Sequence, residues 1–190
     1  MTQKRTLDLD KVLAKATEMI ESRGLSEMTM PNLAKALGVR SQSLYHYVKN
    51  RSQLLSLVAV SRIRLLYQDL LKQLVGLSGH EALFKFADVV RDRLLEDQAL
   101  ATLLYHVDEI SDDLEVVKEV VKILDLGDQL QVDTEHVVSQ HALVGAVLGY
   151  VFLDRFIDGQ EKVESPREAE ENYHEMIWRL VSPSVQQSNA

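Results

Sequence analysis

Apolar residues recur along this chain at three- and four-residue spacing, and no stretch alternates apolar with polar positions, so the pattern predicts an all-α protein of about nine helices. The first is predicted from Leu9 to Arg23, with Val12, Leu13, Ala16, Met19 and Ile20 on one face, Asp8 or Asp10 as N-cap and Gly24 as the stop. Thr29 opens a short second helix as its N-cap, with Pro31 in the first turn, where the missing N–H costs nothing. Leu33, Ala34 and Leu37 face inward along it, and Gly38 ends it. A third helix is expected from Ser41 to about Val48, and a long one over 52–75, where Leu54, Leu55, Val58, Ile63, Leu66, Leu70 and Leu74 recur until Gly76 breaks the pattern. Further helical segments fall at roughly 80–95, 98–110, 112–126, 134–157 and 167–181. Ser78-Gly79, Ser111, Gly127, Asp158-Gly159 and Ser165-Pro166 separate them, and residues 182–190 read as a frayed tail.

The 190 residues leave room for one small and one mid-sized domain, and 46% hydrophobic with 26% charged residues is the composition of an ordinary globular chain. No cysteine is present, which excludes disulfides, thiolate metal sites, iron–sulfur centres and a cysteine nucleophile. The least charged stretch, 136–153, falls short of the ~20 apolar residues of a membrane span. No apolar run follows the basic pair Lys4-Arg5, so no secretory signal is read and a soluble, cytoplasmic protein without a membrane partner is expected. The net charge of −8 argues against a nucleic-acid binder until it is divided along the chain. Residues 1–51 hold nine Lys or Arg against five acids, a balance of +4, which leaves −12 on the remainder. A small basic end on an acidic body suits a protein whose one end approaches phosphate.

Within that basic end, 29–48 has the grammar of a helix-turn-helix. Two short helices crossing over a tight turn need a small residue at their contact (Ala34), a glycine at the turn (Gly38) and apolar locks (Leu33, Leu37, Val39, Leu44, Val48). Arg40, Ser41, Gln42, Ser43, Tyr45 and His46 are then left facing outward, a set of donors and acceptors suited to groove edges and phosphates. The stretch Leu33-Ala34-Lys35-Ala36-Leu37-Gly38-Val39, followed by Leu44-Tyr45-His46-Tyr47-Val48-Lys49-Asn50-Arg51-Ser52-Gln53-Leu54-Leu55, resembles the DNA-binding domain of TetR-type transcriptional regulators. The resemblance covers about the first quarter of the chain. It implies that the aromatic end of the recognition helix and the basic residues after it grip the DNA backbone, with Lys49 and Arg51 at the matching positions and Arg51 where a lysine is usual. Candidate DNA-binding residues are therefore Thr29, Arg40, Ser41, Gln42, Ser43, Tyr45, His46, Tyr47, Lys49 and Arg51. Arg40 stands where a small capping residue is usual, which passes the cap to Ser41 and frees Arg40 for a base or phosphate. Tyr47 fits a packing role equally well, and Arg40 and Arg51 also read as solvated surface charges.

The expected division is a DNA-binding domain over 1–51 and an effector-binding and dimerisation domain over 52–190, with 52–75 as the connecting helix. Ala142, Gly145, Ala146 and Gly149 form a stripe of small residues that permits close helix approach, either inside one subunit or between two. Family dimers pair the last two helices into a four-helix bundle, so the resemblance implies an interface of this stripe with Tyr173, Met176, Ile177 and Leu180. It also implies a pocket for a small-molecule effector, for which Phe84, Phe86, Tyr105, His106, His141, Tyr150 and Phe152 combine aromatic surface with polar atoms; ordinary core is the alternative for each. His136 and His141, five apart, diverge around a helix and do not make a helical zinc pair, and the acidic run from Asp108 to Glu115 reads as a solvated loop and cap.

The function that follows is a ligand-responsive, homodimeric regulator of transcription, a repressor of a pseudo-palindromic operator, without catalysis, metal or cofactor. Two other classes compete. An all-α metal-dependent hydrolase would draw on His80, His106, His136, His141 and His174, which show no His-x-x-x-His and no convergence. A helical adaptor that has lost DNA binding would not need the positive end.

Overall fold

Capping chemistry sets most of the helix ends in the computed structural model, which describes residues 7–110, 113–130, 138–157 and 165–182. Helix α1 (Leu9–Arg23) starts where Asp8 Oδ1 accepts the Lys11 N–H at 2.8 Å, and it stops at Gly24, whose φ of +81° suits glycine. Lys11, through its side chain and its backbone N–H, holds the Asp8 carboxyl below the usual carboxylate range. A 3-10 turn at Leu25–Glu27 leads to α2 (Met30–Leu37), capped by Thr29 and closed by Gly38 in the left-handed region. α3 (Ser41–Leu44), α4 (Arg51–Gln73), α5 (Gly79–Glu96) and α6 (Gln98–Tyr105) follow. After a 3-10 turn at Val107–Glu109 come α7 (Leu114–Gln129), α8 (Gln140–Ile157) and α9 (Pro166–Val181). α9 opens on a capping box in which Ser165 Oγ accepts the Glu168 N–H and Glu168 Oε2 accepts the Ser165 N–H. No strand occurs among the described residues, so the fold is all-α as the pattern predicts.

Three ends depart from the periodicity. The third helix closes at Leu44, well short of Val48, because the Leu44 carbonyl accepts both the Tyr47 and the Val48 N–H and the chain tightens into a turn. α6 stops at Tyr105, where the exposed His106 caps it with Nδ1 at 2.8 Å from the Thr102 carbonyl. α7 runs through Gly127, which the pattern had as a break. Gly127 is buried against Gln140, and a Cβ there would collide with that side chain. Ser111, Asp112, the stretch 131–137 with His136, Asp158-Gly159 and the tail from 183 lie outside the described residues.

The helices gather into two compact units that do not follow chain order: one holds the described residues up to Leu65 together with Asp97–Glu119, the other Leu66–Glu96 together with the described residues from Val120. In the first, α1 packs on α2 and α6, burying Val12, Ala16, Met19 and Ile20 with Leu33, Ala34, Leu100 and Leu103. Each of the larger of these side chains contributes roughly 1.5–3 kcal/mol by leaving water. The early part of α4 adds Leu54, Leu55, Val58 and Ile63.

That part of α4 also carries three arginines, each paired with an acid of the 97–119 segment: Arg51 with Glu109, Arg62 with Asp97, and Arg64 with Glu115 and Glu119. The sequence reading of 108–115 as a solvated loop and cap is thereby corrected for Glu109, whereas Glu115 stays exposed. In the second unit, α5 packs on α8 and α9, through Leu83, Phe86 and Val90 against Leu143, Val147, Val151, Tyr173 and Ile177. Arg155 Nη2 donates to the Leu94 and Leu95 carbonyls, satisfying the end of α5.

Asp97 is the sharpest single test of the first unit. Its side chain is 1% exposed, one oxygen caps α6 through the Leu100 N–H at 2.9 Å, and the other takes Arg62 at 2.5 Å. Asp97→Ala removes the cap and leaves a guanidinium without its counter-charge, so a loss of about 3 kcal/mol or more is expected in urea unfolding. A loss under about 1 kcal/mol would show that water replaces the carboxylate there.

Candidate nucleic-acid interface

The helix-turn-helix is closed by backbone geometry before any side chain is considered. Gly38 takes φ +67° and ψ +30°, its N–H bonds the Lys35 carbonyl, and the Val39 N–H reaches the Ala34 carbonyl at 3.0 Å. This is the hydrogen-bonded left-handed exit that only glycine adopts without strain. Arg40 stays extended as N-cap of α3 and makes no side-chain cap bond, so the cap does not pass to Ser41. Leu44 and Val48 are buried, and Leu37 and Val39 half-buried, beneath it.

What is left outside is a row of polar side chains on one short segment. Arg40, Gln42, Tyr45, His46 and Lys49 are exposed, Tyr45 at 53%, whereas Ser41, Ser43 and Tyr47 are half-buried. Tyr47 donates its hydroxyl to the Leu7 carbonyl at 2.6 Å, tying the turn after α3 to the entry of α1. Thr29 Oγ1 accepts the Asn32 N–H at 3.3 Å as the cap of α2. Lys49 is held at the head of α4 by its own backbone: its N–H donates to Gln53 Oε1 at 2.6 Å, and Asn50 Oδ1 accepts the Gln53 N–H at 2.8 Å. These two bonds fix the backbone from which the exposed lysine extends.

Residues 12–58 match the family described as bacterial regulatory proteins, tetR family. This domain belongs to the tetR family. Over 55 residues it is 38% identical to the HTH-type transcriptional repressor DrrR1 of Streptomyces coeruleorubidus, a stretch that is 29% of this chain and 20% of the repressor. The chain thus matches about a fifth of the length of that relative. Two solved structures share the fold beyond the tetR domain. FadR from Bacillus subtilis in complex with stearoyl-CoA has a TM-score of 0.69 at 16% identity, covering 92% of this chain and 98% of FadR. A TetR variant from Acinetobacter baumannii AYE in complex with minocycline has a TM-score of 0.61 at 18% identity, covering 93% and 95%.

Arg51, expected at the DNA backbone beside the tetR recognition segment, is bonded inward. Its Nε donates to the Met28 carbonyl at 2.8 Å, Nη2 to the Leu25 carbonyl at 3.0 Å, and Nη1 to Glu109 Oε2 at 2.5 Å. Glu109 is the partner that sequence reasoning missed. It lies 58 residues away, and nothing in a single sequence pairs the two.

The residues expected to line an effector pocket divide between the two units. Tyr105 and His106 belong to the first, while Phe84, Phe86, His141, Tyr150 and Phe152 belong to the second. Both histidines are exposed and not set in an apolar face. Phe86 is fully buried, Phe84 lies 5.8 Å from the Trp178 ring, and Tyr150 donates to the Ala169 carbonyl at 2.5 Å. Phe152 is exposed and stacked on Phe156 at 6.0 Å. An open groove of about 480 Å³ in the first unit is lined by Asp10, Leu13, Thr17, Glu18, Glu21 and Arg62 among others, and includes none of these residues.

The expected dimer residues all lie in the second unit and differ in burial. Ala142, Gly145 and Gly149 are exposed and Ala146 half-buried, on the face of α8 opposite Leu143, Val147 and Val151. On α9, Met176 and Leu180 are half-buried, but Tyr173 and Ile177 are fully buried in the core of the second unit. The Tyr173 ring lies 4.3 Å under the Arg91 guanidinium and 5.3 Å from the Tyr150 ring, and burial holds its phenol far above the ordinary tyrosine range. Arg91 bonds Glu170 at 2.8 Å and holds that carboxyl below its usual range, while burial raises Asp88 beside His174.

Gly38 isolates the backbone contribution to this site. A Cβ built there meets no atom within 4 Å, so Gly38→Ala is strained by its dihedral angles alone. A stability loss of about 1 kcal/mol is expected in chemical denaturation. No loss at all would mean that the turn relaxes freely to another conformation.

Proposed function

We propose that this chain is a ligand-responsive, homodimeric regulator of transcription, a repressor that binds a pseudo-palindromic operator and leaves it when a small molecule binds. The observation that carries the reading is the exposed row Arg40, Gln42, Tyr45, His46 and Lys49 on a closed helix-turn-helix of the tetR family, at the basic end of an acidic chain. In the major groove the Gln42 amide suits the N6 and N7 edge of adenine and Arg40 suits guanine or a phosphate, with Tyr45, His46, Ser41 and Ser43 at neighbouring bases or backbone. Lys49 meets phosphate as a point charge. Thr29 and Tyr47 act through the caps they make.

Two recognition segments must then lie about 34–36 Å apart to occupy successive grooves, which requires a dimer. The exposed stripe Ala142, Gly145, Gly149, Phe152 and Phe156 on α8 supports one. Phe156 is 74% exposed, and a Cβ at Gly145 or Gly149 would meet nothing within 4 Å, so among the described residues these glycines serve no close packing. On α9, Met176 and Leu180 share a half-buried face. The domain boundary is drawn at 51/52, with the acidic remainder as effector-binding and dimerisation domain. The small-molecule complexes of FadR and TetR support effector control, in which operator and effector affinities must be reciprocally linked.

Selection of duplexes from a random library by the purified chain, at two salt concentrations, is expected to enrich a palindrome. Lys49→Ala should weaken all sequences and lower the salt slope by about one, whereas Gln42→Ala should change which sequence is preferred. Salt-sensitive binding without enrichment would sink the reading. In sedimentation, Phe156→Glu should shift a dimer to monomer, since a carboxylate desolvated in an apolar seam is costly. An unchanged dimer would place the interface elsewhere.

A further inference from the structure

We infer that Arg51 and Glu109 form a clamp that positions the helix-turn-helix for operator recognition, and that Arg51 is a positioning residue and not a phosphate contact; this rests on the DNA-binding reading above. The guanidinium fork uses all three nitrogens at once. Nε and Nη2 hold the carbonyls of Met28 and Leu25, two buried residues bracketing the turn between α1 and α2, and Nη1 holds Glu109. Ser52 Oγ closes the other side by donating to the Glu109 carbonyl at 3.0 Å. One side chain thereby joins the head of α4, the entry to α2 and the 3-10 turn at Val107–Glu109. A phosphate reaching Arg51 would have to displace a carboxylate already at 2.5 Å, and the neutralised pair attracts phosphate little.

Lysine separates the two roles, because an ammonium serves a phosphate as a point charge but cannot reproduce three bonds directed by a planar fork. Operator affinity is therefore measured against salt for wild type, Arg51→Lys and Glu109→Gln, each checked for folding by circular dichroism. The clamp predicts that Arg51→Lys loses about tenfold or more in affinity with an unchanged salt slope. It predicts that Glu109→Gln also loses affinity, although removing a negative charge near DNA should by itself strengthen binding. A lysine variant that binds like wild type, a slope reduced by about one, or a Glu109→Gln protein that binds as tightly as wild type or tighter overturns the clamp. Wild type that selects no duplex at all overturns the DNA-binding reading first, a result distinct from variants that merely match a binding parent.

Discussion

Arginine–carboxylate pairing along α4 is the constraint on which the first unit depends. Arg51 and Arg62 are eleven residues apart, close to three helical turns, so they project from nearly one face. Each meets an acid in 97–119, and Arg64 adds Glu115 and Glu119 beside them. The pairs differ in depth. Asp97 is 1% exposed against Arg62 at 23%, and Glu119 2% against Arg64 at 51%, whereas Arg51 and Glu109 are 29% and 32% exposed. A buried pair adds little over an apolar substitute, because desolvation offsets attraction, but breaking it strands a charge at a cost of roughly 3–5 kcal/mol. The deep Arg62–Asp97 pair therefore constrains most strongly which segment α4 accepts. The wetter pair, worth about 1 kcal/mol or less as an ion pair, derives its hold from the fork's two bonds to backbone carbonyls.

Local chemistry is what the sequence made legible. Asp8, Thr29, Gly38 and Ser165 act within four residues of themselves, and the helices they bound stand where capping and periodicity put them. The tetR-type motif was readable for the same reason, since the helix-turn-helix is built from near neighbours. Non-local partners decided the rest. Arg51 is bonded to Glu109, Gly127 lies against Gln140, and Tyr173 is buried beside Arg91 and Tyr150, none of which a single sequence pairs. Periodicity tells which residues share a face, not which face meets the core.

The two faces of α8 show how much that missing information matters. Leu143, Val147 and Val151 recur every four residues and are buried; Ala142, Gly145, Gly149, Phe152 and Phe156 recur at three and four and are not. Both stripes are apolar, so hydrophobicity alone cannot order them. Small residues tip the balance, because glycine in a helix costs about 1 kcal/mol relative to alanine and returns nothing where its own chain leaves open space. Among the described residues nothing approaches Gly145 or Gly149 closely enough to use that missing side chain.

Charge placement joins these threads. Within the helix-turn-helix, Lys35, Arg40 and Lys49 form no ion pair among the described residues, whereas Lys15 is paired with Glu18 and Arg51 with Glu109. Among the described residues of 1–51, Arg23 at the end of α1 likewise forms no ion pair, while Lys35, Arg40 and Lys49 lie on or beside α2 and α3. An acidic remainder carrying −12 repels phosphate from every other part of the chain. An arginine withdrawn from phosphate and used to hold the helix-turn-helix is the arrangement such a balance favours.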